Sequence, residues 1–394
     1  MTWRESSRSL ELTPIKPHLN MNTPEELRKS CAAKLRAAAE SATKLAAFVG
    51  LDGFVDEIIH VVDTRESSQS FKRLPTITKM AERLASAAGR STNIELVNYR
   101  TKLGGNGPIM ANALATFGIK VTYLGSLGYP NIHPVFEPFT RQAEVYSIAE
   151  PGHTDALEFE DGKIMFGKSI SLNDITWATI QERFGKEKFI SHFDNANLVG
   201  FVNWTMIPFM SEIWESLLRE VCPGLKGERQ TIFFDLADPA KRSVDDILKA
   251  LKLISQFEKY FKVILGLNEK ESSEIAAAYG LTLKDRTPAG LANLARELQH
   301  RLMIETVVIH PVTYALAVDA KGVETVQGPY IAKPLITTGA GDHFNAGFCL
   351  GKLLNFSNEE SLLTGVSTSG FYVRNARSPS MLDLASLMSD WPAA

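Results

Sequence analysis

The chain has 394 residues, of which 44% are hydrophobic and 22% are charged, and its formal net charge is −3. This composition is typical of a soluble globular protein with enough apolar residues for one large domain or two. Because the net charge is small and no run of Lys or Arg occurs, the sequence argues against nucleic acid or a membrane surface as a partner.

The cysteines and the N-terminal residues bear on location. Cys31, Cys222 and Cys349 lack the spacing of a metal site or a disulfide framework, so each is expected to be a small buried apolar residue in a reducing compartment. No apolar run approaches membrane-spanning length, and residues 1–14 lack the apolar core of a secretion signal. These features favour a cytoplasmic protein without a membrane partner.

Residues 1–45 are predicted to form an N-terminal arm followed by one helix. The first 22 positions are polar and contain two prolines, which indicates a loose arm. Thr23 precedes Pro24 and two glutamates, a pattern typical of a capped helix start, and apolar residues then recur at helical spacing up to Leu45. We expect this helix to pack on the outside of the following domain or at a subunit contact.

A buried strand is predicted at residues 46–51, and Asp52 and Asp56 follow it directly. In open α/β sheets, ligands bind at the carboxyl ends of the strands. Because an ionised carboxylate accepts hydrogen bonds from several hydroxyl groups, both aspartates are candidates for binding a sugar-like molecule. The alternative is one turn residue and one solvated residue. A further strand is predicted at 58–62.

Gly104, Gly105 and Asn106 precede a helix predicted over residues 109–117. The glycines allow another molecule to approach the main chain, and the Asn106 amide both donates and accepts hydrogen bonds. Alone, this cluster is weak evidence for a ligand site.

The second half of the chain alternates between strands and helices. This rhythm predicts an α/β fold, a doubly wound and mostly parallel sheet with helices on both faces. Its strands are predicted at 198–202, 231–234, 263–267 and 306–310. Alternating runs around Asp161 and Gly162 predict a β-hairpin at 156–166, which we interpret as a flap because a hairpin does not belong in a parallel core.

Asn268 and Glu271 follow the predicted strand at 263–267. A carboxylate and an amide oxygen at this edge of the sheet can orient water around Mg²⁺, which keeps most of its water ligands. The alternative, which these residues alone favour, is that Asn268 caps a helix with Glu271 in its first turn. Neither a zinc or calcium motif nor a Gly-x-x-x-x-Gly-Lys-Ser/Thr loop occurs.

The stretch from Thr337 to Phe348 is predicted to be a glycine-containing loop that turns into a helix. Unpaired N–H groups and the helix dipole make such a start a seat for phosphate. Asp342 beside this seat would repel a resting phosphate, but it suits a base for a hydroxyl that attacks the phosphate. The alternative role of Asp342 is a helix cap.

Together these motifs resemble the ribokinase-like (PfkB) carbohydrate kinases. The C-terminal signature of that family, Asp-Thr-x-Gly-Ala-Gly-Asp-x-Phe-x-x-Gly, is matched at residues 336–347 except for its first position. Gly104-Gly105-Asn106 matches the N-terminal signature, and Asn268 with Glu271 matches Asn-x-x-Glu. The order and spacing of the motifs agree along residues 46–380.

The resemblance implies a ribokinase-like kinase domain at 46–394 with a small β lid from about 54–65 and 145–170. It implies ATP-dependent phosphorylation of a hydroxyl of a small sugar or sugar acid, and a homodimer through the exposed lid. The implied catalytic groups are Asp342 as general base and the backbone of Gly339, Ala340 and Gly341 as anion hole. The implied binding residues are Asp52, Asp56, Gly105 and Asn106 for the sugar, Asn268, Thr313 and Thr338 for ATP, and Asn268 with Glu271 for Mg²⁺.

The chain also departs from the family pattern. Ile336 stands where an Asp linked to a monovalent-cation site is usual, so activation by potassium is not expected. Val312 and Ala315 replace two glycines on the nucleotide side, which predicts a closer side-chain surface there. Lys241 and Arg242 are candidates for contacting a substrate carboxylate or a nucleotide phosphate, with surface charges as the alternative.

Two other functions stay open at this point. A nucleoside kinase of the same family would need an aromatic slot, for which Phe54, Tyr146 and Trp204 are candidates. A non-catalytic sugar-binding regulator would have no need of a base at Asp342, so the retained acid argues against it.

Overall fold

The computed structural model describes residues 23–227, 229–283 and 285–392, so the predicted arm at residues 1–22 lies outside the described residues. Its strands are β1 (Ala46–Leu51), β2 (Phe54–Arg65), β3 (Phe71–Arg73), β4 (Leu96–Gly104), β5 (Lys120–Gly125), β6 (Glu144–Ser147), β7 (Gly152–Glu158), β8 (Lys163–Lys168), β9 (Leu198–Phe201), β10 (Thr231–Asp235), β11 (Lys262–Leu267), β12 (Thr306–Ile309), β13 (Tyr314–Asp319) and β14 (Gly322–Gln327). Its helices are α1 (Glu25–Ala42), α2 (Ile77–Ser86), α3 (Asn106–Thr116), α4 (Glu137–Thr140), α5 (Trp177–Arg183), α6 (Lys186–Asn195), α7 (Met210–Ser216), α8 (Val244–Phe257), α9 (Glu269–Ala278), α10 (Pro288–Leu302), α11 (Ala340–Leu353), α12 (Asn358–Asn375) and α13 (Met381–Ser389).

The main sheet has nine strands in the order β14-β13-β12-β11-β10-β9-β1-β5-β6. All neighbours pair in parallel except β12 with β13 and β13 with β14, which are antiparallel. Central strands such as β1 and β9 are apolar and buried on both faces, as strands covered by helices on either side must be. The prediction of a doubly wound, mostly parallel α/β fold is therefore confirmed.

Two apolar layers cover the two faces of this sheet. Neighbouring residues Phe233 and Phe234 of β10 belong to different layers, because successive side chains of a strand point to opposite faces. Phe234 lies with Trp214 and Phe257 in the layer under α7 and α8. Phe233 lies in the layer that contains α3, α11 and α12. The two layers cover the faces of the sheet and not its edge at the carboxyl ends of the parallel strands, where a site can form.

A second sheet forms the lid, with strand order β3-β2-β7-β8 and β4 paired to β2. The predicted hairpin is present as β7 and β8. The strand predicted at 58–62 is part of a longer strand, β2, so Asp56 lies within a lid strand and not in a loop. β4 also belongs to the lid, whereas β6 pairs with β5 in the main sheet, so the second lid segment starts at Gly152.

The N-terminal helix α1 packs against α13 and α12, on the outside of the domain. Its predicted cap is different, because Pro24 occupies the cap position and the Thr23 hydroxyl donates to the carbonyl oxygen of Gln327. Cys31, Cys222 and Cys349 are free and buried, as predicted. Among the described residues, no helix has the length and apolar content needed to cross a bilayer.

Candidate active site

The start of α3 is held by Asp52, which follows β1. Its carboxylate accepts hydrogen bonds from the backbone N–H groups of Asn106 (3.0 Å) and Gly107 (2.8 Å) and from Nδ2 of Asn203 (2.7 Å). Burial raises the pKa of Asp52 to about 6, and these donors oppose the rise. Asp52 is 0% exposed, so it has no surface for a sugar. Its oxygens serve the unpaired N–H groups of a helix start, which favours a structural role over the predicted sugar-binding role.

Glycines in the Gly104–Gly107 segment are required by this close packing. Gly105 has a φ of +95°, a conformation that other residues rarely adopt. A Cβ atom on Gly107 would lie 2.6 Å from Oδ1 of Asp52, so any side chain there would displace the carboxylate. The glycine cluster therefore shapes the junction between β4 and α3.

Asp342 lies in the first turn of α11 and faces α3. The Nδ2 atom of Asn106 donates to Oδ1 of Asp342 at 2.9 Å, which joins the two signature motifs. Asp342 is 6% exposed, and this burial raises its pKa to about 8, while the bond from Asn106 lowers it. The predicted alternative of a plain helix cap does not account for the contact with another helix.

The turn before α11 carries N–H groups that lack partners. Gly339 is the cap residue, with a φ of 91° that suits glycine. The N–H of Ala340 donates to the carbonyl oxygen of Thr337 at 3.1 Å. Within the described residues, the N–H groups of Gly339 and Gly341 have no acceptor. The phosphate seat at the start of α11 therefore offers two unpaired N–H donors. This is one fewer than the three predicted, because the N–H of Ala340 is bonded within the turn.

Asp56 contributes a second buried carboxylate from the lid. It pairs in register with Lys102 of β4, whose Nζ atom lies 3.8 Å from its carboxylate. Burial raises the pKa of Asp56, and the positive charge of Lys102 opposes this rise. A Cβ atom on Gly104 would lie 2.5 Å from the Asp56 carboxylate, so glycine at this position makes room for it.

Asn268 and Glu271 form a reciprocal cap at the start of α9. Oδ1 of Asn268 accepts from the N–H of Glu271 (2.9 Å), and Oε2 of Glu271 accepts from the N–H of Asn268 (2.8 Å). Oε1 of Glu271 accepts from the N–H of Asp238 at 3.0 Å. The alternative of a helix cap is therefore correct. The amide oxygen of Asn268, predicted as a metal ligand, is engaged in this cap.

Several buried acids nevertheless lie close together beside the phosphate seat. Burial raises the pKa of Asp235 well above its usual range, and the nearby charges of Glu271 and Asp342 raise it further. Asn345 donates to Asp235 at 2.8 Å, while its own Oδ1 is buried without a donor. Among the described residues, no three acidic, His or Cys side chains converge on one coordination point. Oxygen donors that repel one another fit Mg²⁺ held through its waters.

The residues predicted on the nucleotide side lie on the loops that precede β13 and α11. Thr313 is exposed, and Thr338 is half-buried with its carbonyl oxygen bonded to the Tyr372 hydroxyl. Val312 is 89% exposed, whereas Ala315 is buried in β13. Only the first of the two glycine replacements therefore puts a side chain on this surface.

Three contacts of this site were not predicted from the sequence. Asn203 follows β9 at the same edge of the sheet as Asp52, and this position after a strand could have marked it as a site residue. Lys102 lies two residues before Gly104, which puts it on one face of β4. Arg242, predicted as a ligand contact, instead donates to main-chain carbonyls and stacks over the Trp204 ring at 4.3 Å. Those carbonyls belong to Trp204, Thr205, Ile207 and Pro208.

The comparisons with known proteins agree with this geometry. A ketohexokinase from Haloferax volcanii is 29% identical over 380 residues, which cover 94% of this chain and 98% of the relative. The archaeal nucleoside kinase of Methanocaldococcus jannaschii, described as a member of the ribokinase family, has a TM-score of 0.58 at 13% identity and covers 88% of this chain and 98% of its own. Ribokinase from Arabidopsis thaliana complexed with ribose and ATP has a TM-score of 0.58 at 16% identity, with 87% and 98% covered.

The structural similarities confirm the ribokinase-like fold. The ketohexokinase relative and the family match given next confirm the predicted activity, phosphorylation of a sugar hydroxyl by a kinase. The sequence profile described as prokaryotic ketohexokinase matches residues 22–391. The chain belongs to the prokaryotic ketohexokinase family of sugar kinases.

Proposed function

We propose that this enzyme transfers the γ-phosphoryl group of ATP to a hydroxyl group of a ketohexose. The observation that carries the proposal is the buried carboxylate of Asp342, bonded to Asn106 on one side and adjacent to the unpaired N–H groups of Gly339 and Gly341 on the other. An alcohol and a terminal phosphate can meet between these groups. The substrate class is supported by the family and by the archaeal ketohexokinase relative.

Asp342 acts as the general base in this proposal. It takes the proton of the sugar hydroxyl as the hydroxyl oxygen bonds to the γ-phosphorus and the bond to ADP breaks. The raised pKa of about 8 keeps its proton affinity close to that needed near neutral pH. The N–H groups of Gly339 and Gly341 stabilise the charge on the phosphoryl oxygens, and that of Ala340 joins them only if it leaves Thr337.

The sugar is bound between the lid and α3. Asp56, whose ionised form the nearby Lys102 favours, accepts hydrogen bonds from sugar hydroxyls, and Asn106 and the main chain of Gly105 line the opposite wall. Asp52 positions α3 and does not contact the sugar. Since a lid that closes over the sugar excludes water, it suppresses hydrolysis of ATP.

ATP lies along the starts of α9 and α11 in this proposal. The amide nitrogen of Asn268, whose oxygen is used in the cap, donates to a phosphate, and Thr313 and Thr338 border the nucleotide. Glu271 and Asp235 would hold the waters of Mg²⁺. This ion supplies positive charge that offsets the charge of the phosphates.

A nucleoside substrate is less well supported. Trp204 is fully buried beneath Arg242, and Phe54 is also buried, so neither ring offers a face to a base. Tyr146 lies on β6, where the ammonium group of Lys188 covers its ring at 3.5 Å. A non-catalytic regulator would leave the buried acid of Asp342 without a use.

The other proposed partner is a second copy of the chain. Tyr99, Met165 and Phe166 on strands of the lid sheet are 48%, 52% and 50% exposed. Their exposed apolar surface supports a homodimer through the lid. Light scattering coupled to gel filtration measures the mass directly, and a charged residue at Phe166 should shift a dimer toward monomer. Neither nucleic acid nor a membrane has a part in the proposal.

An ADP-release assay tests the function. ATP and Mg²⁺ are held constant while ketohexoses, aldohexoses, sugar acids and nucleosides are compared. We expect kcat/KM to be highest for a ketohexose, with turnover lost in Asp342→Asn. Preference for a nucleoside would favour the nucleoside kinase. Thermal stabilisation by a sugar without any ADP release would favour the regulator.

A further inference from the structure

Two aromatic side chains lie under the turn that precedes α11. The ring of His343 stacks on the ring of Tyr372 in α12, with centroids 3.6 Å apart and planes inclined by 14°. His343 directly follows Asp342 and is itself buried. The proposed function gives neither aromatic residue a role.

Both side chains bond carbonyl oxygens of this turn. The Tyr372 hydroxyl donates to the carbonyl oxygen of Thr338 at 3.0 Å. Nδ1 of His343 lies 2.7 Å from the carbonyl oxygen of Gly339, so this nitrogen carries the proton and donates. Nε2 of His343 is 2.9 Å from the Ser378 hydroxyl and accepts from it.

The hydrogen bonds of His343 continue to helix α3 through Ser378. Asn112 of α3 donates from Nδ2 to the Ser378 hydroxyl oxygen at 3.1 Å, so the chain of hydrogen bonds reaches the helix that carries Asn106. Burial lowers the pKa of His343 to about 4, so the ring is neutral near pH 7 and retains one donor and one acceptor. Because the ring stays neutral near pH 7, its hydrogen bonds to the phosphate seat do not change with pH in this range.

Holding a carbonyl oxygen also orients an N–H group. The carbonyl of Thr338 and the N–H of Gly339 belong to one planar trans peptide and point in opposite directions. Because Tyr372 binds the oxygen, the N–H of Gly339 points away from Tyr372. The bond from His343 to the Gly339 oxygen fixes the next peptide plane in the same way.

We propose that His343 and Tyr372 are positioning residues for the anion hole, which keep the carbonyl oxygens of Thr338 and Gly339 turned away from the transferring phosphoryl group. Rotation of the Thr338–Gly339 peptide would point a partially negative oxygen at that group and remove the N–H of Gly339 from it. Rotation of the Gly339–Ala340 peptide would point the oxygen of Gly339 at it. Preorganised donors of this kind stabilise the transition state more than the bound substrate. The inference rests on the proposed function, since it concerns the same site.

The variant Tyr372→Phe tests the inference with the least disturbance. It removes the hydroxyl and retains the ring that stacks on His343. We expect kcat to fall about 10-fold to 100-fold, while KM for the ketohexose and the melting temperature stay close to wild type. Tyr279→Phe at the end of α9 is the matched control, since it removes a hydroxyl from a partly buried tyrosine elsewhere, and should leave kcat unchanged.

His343 is tested by two replacements with different hydrogen-bonding capacity. His343→Phe keeps a ring for stacking and loses the donor to Gly339, so kcat should fall as in Tyr372→Phe. His343→Asn places an amide nitrogen near the position of Nδ1, so it should recover part of the lost kcat despite losing the ring. If His343→Phe fails to fold, Tyr372→Phe alone decides.

Several results would overturn the inference. Wild-type kcat in Tyr372→Phe would do so even with a lower melting temperature, because a purely structural role predicts that pattern. A raised sugar KM with unchanged kcat would also do so, since it would indicate contact with the sugar. In both cases wild-type turnover would leave the proposed function standing. A wild-type enzyme without sugar-dependent ADP release would instead refute the proposed function and the inference together.

Discussion

The amide of Asn106 donates a hydrogen bond of 2.9 Å to the carboxylate of Asp342, although 236 positions separate the two residues in the chain. The same asparagine gives its backbone N–H to Asp52. One residue therefore links the carboxyl end of β1, the start of α3 and the proposed base. The electrostatic surroundings of Asp342 depend on both halves of the molecule.

Asp342→Asn should abolish turnover. The amide has nearly the same shape and cannot take a proton, so we expect kcat to fall at least about 10³-fold, the upper part of the range for general-base removal. Binding of the ketohexose, measured by calorimetry, should change little because Asp56 and Asn106 are retained. Activity within about tenfold of wild type would remove Asp342 from its proposed role.

The activity should depend on pH through Asp342. Burial raises the pKa of this carboxyl to about 8, and only the ionised form accepts a proton. We expect kcat/KM for the sugar to fall about tenfold for each pH unit below that value and to level off above it. Ketohexoses carry no group that titrates in this range, so an acid limb reports the enzyme. A flat profile between pH 6 and 9 would contradict this assignment.

The same shift predicts a change in stability. Because the folded-state pKa of Asp342 exceeds the unfolded value, its stabilisation is complete below the unfolded pKa and is lost as pH rises through about 8. Asp342→Asn carries no charge at any pH. Its melting temperature should therefore exceed that of wild type by a margin that grows from pH 5 to pH 8. Differential scanning fluorimetry at matched ionic strength measures the margin.

Asp52→Ala should destabilise the fold. It would leave the N–H groups of Asn106 and Gly107 and the amide of Asn203 without their acceptor in a buried place. We expect a loss of about 3 kcal/mol in the free energy of unfolding, measured by urea denaturation. Asp174→Ala, at an exposed position, is the control and should cost less than about 0.5 kcal/mol. Equal stability of the two variants would contradict the structural role.

Lys102→Met should weaken sugar binding. The substitution keeps most of the side-chain volume and removes the positive charge 3.8 Å from Asp56. Since burial raises the pKa of Asp56 and Lys102 opposes this, the acid will ionise less readily in the variant. We expect KM for the ketohexose to rise at least about fivefold with a smaller change in kcat. Lys120→Met, at an exposed position of β5, should change neither constant.

Arg242→Ala should affect stability and not catalysis. The guanidinium group donates to four main-chain carbonyls and covers the Trp204 ring. Its loss leaves the oxygens of Thr205 and Pro208 without a donor, since those of Trp204 and Ile207 also accept from backbone N–H groups. We expect a loss of about 2 kcal/mol in the free energy of unfolding and unchanged KM values for sugar and ATP. A rise in either KM would restore the original prediction that Arg242 contacts a ligand.

Elements governed by local patterns were predictable from the sequence. The alternation of strands and helices predicts a helix between the strands at 231–234 and 263–267, and α8 lies there. Ser243 caps it, two acids follow in its first turn, and apolar residues then recur at helical spacing. The reciprocal cap of Asn268 and Glu271 was likewise available from their spacing.

Features that depend on distant partners were not predictable. The strand predicted at 58–62 is shorter than β2, because the length of β2 is set by pairing with β4 and β7 and its register with β4 shifts between Ile58 and Ile59. The contact of Asn203 with Asp52 was not predicted, because it requires a left-handed backbone at Asn203, with φ of 60°, and an aspartate 151 positions away. No local pattern encodes either condition.

Gly105 is the single residue between strand β4 of the lid and helix α3. With no slack between them, a lid that lifts must pull on the amide that contacts Asp342. The hydrogen bond from Asn106 to Asp342 would therefore respond to the position of the lid. A sugar that holds strand β4 in place would thus also hold the hydrogen-bond partner of the proposed base.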